Sequence, residues 1–178
     1  MYKYKPKNKT ELKQLVKNIN IILSDINISN ITDMSGIFKN SKRRNFSGIE
    51  KWDVSKVTNM SGMFSGAESF NHDISNWNVS NVKNMSHMFY KAVKFNKPLN
   101  NWDVSSVKNM EYMFANATHF NQPLYNWDVS NVTNMSRMFS YAKSFNRNLN
   151  QWNVAKLKNR AYMFAGSAQN TLPHWYKG

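Results

Sequence analysis

The chain has 178 residues, 41% of them hydrophobic and 19% charged, which suits one domain or one short repeat array with a buried core. Zero cysteines exclude disulfides and thiolate chemistry, and His72, His87, His119 and His174 lie too far apart for metal-ligand spacing, so no cofactor and no metal is expected. Lys and Arg number 24 against 10 Asp and Glu, a formal charge of +14 that favours acidic surfaces and polyanions. No run of about 18 apolar residues exists to span a bilayer. The stretch Met1 to Pro6 leads into no apolar core or cleavage site of an export signal, so the chain as it stands reads as soluble and cytoplasmic.

Residues 1–25 predict a basic amphipathic capping helix. Asn8 and Glu11 have capping-box spacing, and Leu12, Leu15, Val16, Ile19, Ile22 and Leu23 form one apolar stripe opposite Lys13, Lys17 and Asn20. A repeat array over 26–168 follows. Trp52, Trp77, Trp102, Trp127 and Trp152 recur every 25 residues, the mark of stacked repeats, and divide the array into 26–51, 52–76, 77–101, 102–126, 127–151 and 152–168. The first unit is degenerate and one residue longer, with Ile28, Ile31, Asp33, Met34 and Phe38 standing for Val54, Val57, Asn59, Met60 and Phe64. Its extra residue falls around Arg43 to Phe46.

Within each unit, Trp77 and Val79 alternate with Asn78 and Ser80, which predicts one short parallel strand. Met85, Met88, Phe89 and Ala92 stand at i, i+3, i+4 and i+7, which predicts one short helix. The fold class is therefore an α/β repeat solenoid. The Trp column and the two Met columns belong in the core. Two Asn columns (Asn59, Asn84, Asn109, Asn134, Asn159, and Asn71, Asn96, Asn121, Asn146) are expected to satisfy turn backbone and bridge adjacent units. Asp53, Asp103 and Asp128 alternate with Asn78 and Asn153 in one column. They are read as turn-forming groups rather than a metal stripe, because Asn takes their place. Residues 169–178 close the array as a C-terminal cap: Phe-Asn gives way to Gln169-Asn170, and Pro173 precedes Trp175.

The motif running from Trp52 to Phe64, followed by Phe95-Asn96-Lys97-Pro98-Leu99 and the next Trp, resembles the repeat of the BspA-like bacterial surface proteins, a short leucine-rich-repeat-type class. Lys5 to Leu12 resembles the leader found before such arrays. The resemblance implies a right-handed leucine-rich-repeat-like coil, a secreted or lipid-anchored setting, and adhesion or host interaction. It carries no catalytic motif.

Function is expected in the columns that vary between units. His87, Tyr90, Tyr112, Arg137 and Tyr141, with Lys143, form the candidate binding patch, since Tyr and Arg are hot-spot residues. No nucleophile–base pair or phosphate loop is present, so the expected function is a non-enzymatic scaffold with a protein partner, a host protein or an acidic surface. The second expectation is a basic nucleic-acid-binding module, because no acidic side chain follows Asp128. The third is a self-assembling element, against which the charged first helix and Arg160 both argue.

Overall fold

A computed structural model describes residues 2–177; the outermost residues of the two expected caps, Met1 and Gly178, lie outside them. The single α-helix among these residues, α1, spans Lys9–Lys17 and buries Leu12 and Val16. The Asn8 side chain accepts from the Glu11 N–H at 3.0 Å, and the Glu11 carboxylate accepts in turn from the Lys7 N–H, so the reciprocal bond reaches one residue further back than in a standard capping box. The helix is shorter than the apolar stripe that predicts it. The chain leaves helical geometry at Asn18 and makes a 3₁₀ turn over Leu23–Asp25. Ile19 and Ile22 are exposed, at 65% and 57%. The extra residue of the first unit has a use: the buried Arg43 guanidinium donates to the carbonyls of Val16, Asn18, Ile21 and Asn45 at 2.7–3.3 Å, satisfying carbonyls that the end of a helix leaves unpaired.

From Asp33 onward the chain returns to the same place once per unit. Single parallel bridges join Asp33 to Asn59, Asn59 to Asn84, Asn84 to Asn109, Asn109 to Asn134 and Asn134 to Asn159. At each of these five junctions four alternate amides donate to four alternate carbonyls of the next unit. Met85, His87, Phe89 and Lys91, for example, donate to Asn109, Glu111, Met113 and Ala115, and all such bonds measure 2.7–3.0 Å. All of these N–H groups point toward the C-terminal end of the stack, and the accepting carbonyls point back.

That geometry replaces the expected helix. Alternate N–H groups directed out of the turn cannot also bond within it, and the chain achieves this with two left-handed residues per unit, such as His87 (φ 57°) and Lys91 (φ 56°). The intervening amides close tight turns, Met88 N–H to Met85 O and Tyr90 N–H to His87 O. The 3-4-7 burial pattern is real, since Met85, Met88, Phe89 and Ala92 are fully buried, but it arises from consecutive turns. The expected strand is likewise absent at the tryptophans. Trp77 N–H closes a turn onto Ile74 O and Val82 N–H one onto Val79 O, and pairing between units falls instead on the Asn59 column.

Two phenylalanine columns run through the core. Phe64, Phe89, Phe114, Phe139 and Phe164 stack at 5.4–5.7 Å from unit to unit. Each pairs within its own unit with Phe70, Phe95, Phe120 or Phe145 at 3.8–4.1 Å where both are present. Each tryptophan does more than fill space. The Nε1–H groups of Trp52, Trp77, Trp102, Trp127, Trp152 and Trp175 donate to the carbonyls of Leu23, Ile49, Ile74, Leu99, Leu124 and Leu149 one unit back, at 2.8–3.1 Å. Each of these carbonyls also accepts a turn bond from the N–H three residues on, as Ile74 O does from Trp77, so a phenylalanine removes one of its two hydrogen bonds. Trp102→Phe is therefore expected to lower stability by about 0.5–1.5 kcal/mol, the net worth of one hydrogen bond, with the urea midpoint as the measurement.

The two Asn columns divide their roles. Asn59, Asn84, Asn109, Asn134 and Asn159 accept through Oδ1 from the N–H two residues on, within their own turn. Asn71, Asn96 and Asn121 accept from the N–H of Asn96, Asn121 and Asn146, across units. Bridging is thus the work of the second column alone among these amides.

A candidate binding face along the stacked turns

The two left-handed positions of each unit lie in columns. One reads Gly36, Gly62, His87, Tyr112, Arg137 and Tyr162; the other reads Asn40, Gly66, Lys91, Asn116, Tyr141 and Gly166. Glycine is the residue that such backbone favours, and the face changes character along the stack according to where glycine stands. In the N-terminal units it is a groove of about 520 Å³ floored by Gly36, Gly62, Gly66, Ser35 and Ser61, with Lys39 and Asn40 at one end and His87, Tyr90 and Lys91 at the other. A Cβ at Gly66 would stand 2.2 Å from Asn40 Oδ1 and displace that side chain from the groove. In the C-terminal units the face is a ridge.

The ridge gathers most of the expected binding residues. His87 stacks on Tyr112 at 4.7 Å, and Tyr90 meets Tyr112 edge-on at 6.1 Å. The Arg137 guanidinium lies between the Tyr112 and Tyr162 rings, 5.4 and 5.1 Å from their centroids, and donates to the Tyr112 hydroxyl. Burial holds the His87 imidazole below its ordinary pKa, with Lys39 adding to the effect and Glu111 opposing it, so the neutral ring is the form stacked on Tyr112. Tyr141 and Lys143 make a separate pair. Lys143 Nζ lies 5.1 Å over the Tyr141 ring and donates to Gly166 O at 2.9 Å. Tyr162, 63% exposed, extends the ridge and was not among the expected binding residues. Its place in the same column as His87, Tyr112 and Arg137 is the signal that points to it.

The Asp column is built for turns. The Oδ1 atoms of Asp53, Asp103 and Asp128 accept from the N–H of Ser55, Ser105 and Ser130 at 3.0 Å, as Asn78 and Asn153 accept from Ser80 and Ala155. Among the described residues no three His, Cys, Asp or Glu side chains converge as a metal site. Hydrogen bonds from Ser55 and Ser130 hold Asp53 and Asp128 below the usual carboxylate pKa, and those from Ser75 do the same for Asp73. A carboxylate so lowered stabilises the fold above its unfolded pKa of about 4, and that contribution is lost as pH falls through the lower folded value. The melting temperature is therefore expected to fall between about pH 5 and pH 2. The triple variant Asp53→Asn, Asp73→Asn, Asp128→Asn should show a shallower fall, and an unchanged slope would remove these groups from the account.

Equal junctions between units, with the varying residues collected on one face, define a stacked-repeat protein. The chain belongs to the family described as Mycoplasma protein of unknown function, DUF285, whose model matches residues 9–111 and again residues 92–175. No curated protein and no solved structure matches it.

Proposed function

We propose that the chain is a rigid solenoid of the leucine-rich-repeat kind, related to the BspA-like surface repeats, that binds a protein partner through the ridge and groove and performs no catalysis. Right-handed winding is the hand favoured for parallel passes joined by crossovers. Adhesion at a bacterial surface is the setting that the BspA-like resemblance favours.

One observation carries the binding role. Left-handed backbone costs a residue with a Cβ about 1 kcal/mol or more, and Gly36 and Gly62 show that glycine serves the same backbone at these positions. His87, Tyr112, Arg137 and Tyr162 stand there nonetheless, partly exposed and stacked into one surface. The fold does not require them, whereas a partner that buries an aromatic and arginine cluster does. The uneven positive charge supports nucleic acid as the second reading, and salt separates the two.

The test replaces the ridge with the residue that its backbone prefers. The triple variant His87→Gly, Tyr112→Gly, Arg137→Gly is expected to melt within about 4 °C of the parent, since relief of strain offsets the lost stacking. Immobilised parent and variant are then exposed to nuclease-treated host-cell extract at about 50 and 300 mM salt. A protein held by the parent at the higher salt and lost by the variant supports the proposal. Equal capture by both, or capture of nucleic acid alone from untreated extract, overturns it.

A further inference from the structure

The repeated junction has a consequence at its last copy. In five successive junctions, four amides of one unit meet four carbonyls of the next. In the last unit the corresponding amides are those of Arg160, Tyr162, Phe164 and Gly166. None of them donates a hydrogen bond among the described residues, while the carbonyls of Asn159, Ala161, Met163 and Ala165 all accept from the preceding unit. The residues that follow lie mainly over the other half of this end and reach the open half at its rim, where Arg160 Nε donates to Lys177 O at 3.4 Å. Trp175 stacks on Trp152 at 6.3 Å and donates to Leu149 O, and Tyr176 packs edge-on against Phe164 at 5.1 Å. Between the covered and open halves lies a cleft of about 580 Å³, with Phe164, Ala165, Leu172 and Tyr176 as apolar walls and Arg160 and Lys177 at its rim. Leu172 is 48% exposed.

We propose that this open half is a docking edge for an extended acidic segment of another protein. Its main-chain carbonyls take up the four parallel N–H groups as a further unit does, one apolar side chain enters the cleft, and a carboxylate meets Arg160 and Lys177. A row of donors all facing one way demands a row of acceptors, which an extended backbone supplies at the required spacing. Acidity follows from charge. No acidic side chain occurs after Asp128, whereas Lys156, Lys158, Arg160 and Lys177 do, and a carboxylate accepts from both N–H and guanidinium. A second copy of this chain is the poorer occupant. Its complementary carbonyl row, in the first unit, lies under α1, where Lys9 Nζ binds Asp33 at 3.0 Å and Leu12 and Val16 are buried, and both ends are basic.

The edge adjoins the ridge at Tyr162 but contains none of the residues that the ridge variant replaces, so the two proposals fail independently. The test is amide NMR of the ¹⁵N-labelled full chain, titrated with a ten-residue peptide of alternating Asp and Val and, separately, with its Lys and Val counterpart. The expected result is saturable movement of the Arg160, Tyr162, Phe164 and Gly166 amide signals with the acidic peptide alone, while those of Met135, Arg137, Phe139 and Tyr141 stay in place. The double variant Arg160→Glu, Lys177→Glu is expected to weaken binding at least about tenfold, and the three-glycine ridge variant to bind as the parent does. Absence of movement, or equal movement with the Lys peptide, overturns the proposal. So does the same movement with sodium phosphate alone, which marks a simple anion site. Sedimentation velocity that shows growth with concentration, suppressed by the same double variant, assigns the edge to a second copy and overturns it as well.

Discussion

The constraint on which everything else depends is the common direction of the backbone amides. At every junction four N–H groups of one unit face the carbonyls of the next, so this wall of the stack is held by bonds between units rather than by elements that close their own hydrogen bonds. Each unit then has little regular structure of its own. Its buried backbone is satisfied only when a neighbour is present, which is the condition under which repeats fold as an array and not singly.

That direction sets the side-chain plan. Turning alternate peptide groups outward requires two left-handed residues per unit, and these project from the outside of the turn while Met, Phe and Ala fill the inside. The tryptophan column applies the same logic on the opposite wall, where each indole N–H adds a bond from the next unit to a carbonyl that already closes a turn within its own. The Asn71 column closes a third line of bonds between units. Polar pairing is thus distributed around the circumference, and the stacked phenylalanines supply the burial that makes those bonds worthwhile.

The plan also separates what the fold needs from what it merely permits. Positions facing inward are nearly invariant from unit to unit, because a change of one methylene is felt through the close packing on both sides. The two left-handed columns are held by backbone geometry alone, so glycine, asparagine, lysine, histidine, tyrosine and arginine all occur in them. Variation concentrates where the fold is indifferent, and that is where a recognition surface can be carried at little cost to the stack. The ends obey a different rule. The N-terminal end is closed by α1 and by the Arg43 guanidinium, whereas the C-terminal end is closed mainly on its tryptophan side, with Tyr176 against Phe164 at the margin.

Periodicity by itself determined the unit length, the register of the degenerate first unit, the membership of the core columns, and the turn role of the Asp column, because identical side chains 25 residues apart must meet when units stack. It also determined that His87, Tyr90, Tyr112 and Arg137 share one face. The tertiary structure alone decided the conformation that carries them. Burial at i, i+3, i+4 and i+7 is the signature of a helix and equally of two consecutive turns, and only the bonds to the next unit, which draw every second N–H out of the turn, choose between them. The sequence marks 152–168 as the last unit, since Gln169-Asn170 replaces Phe-Asn after it, but not that the amides of Arg160, Tyr162, Phe164 and Gly166 lack the acceptors of their equivalents: hydrogen-bond satisfaction belongs to neighbours in space.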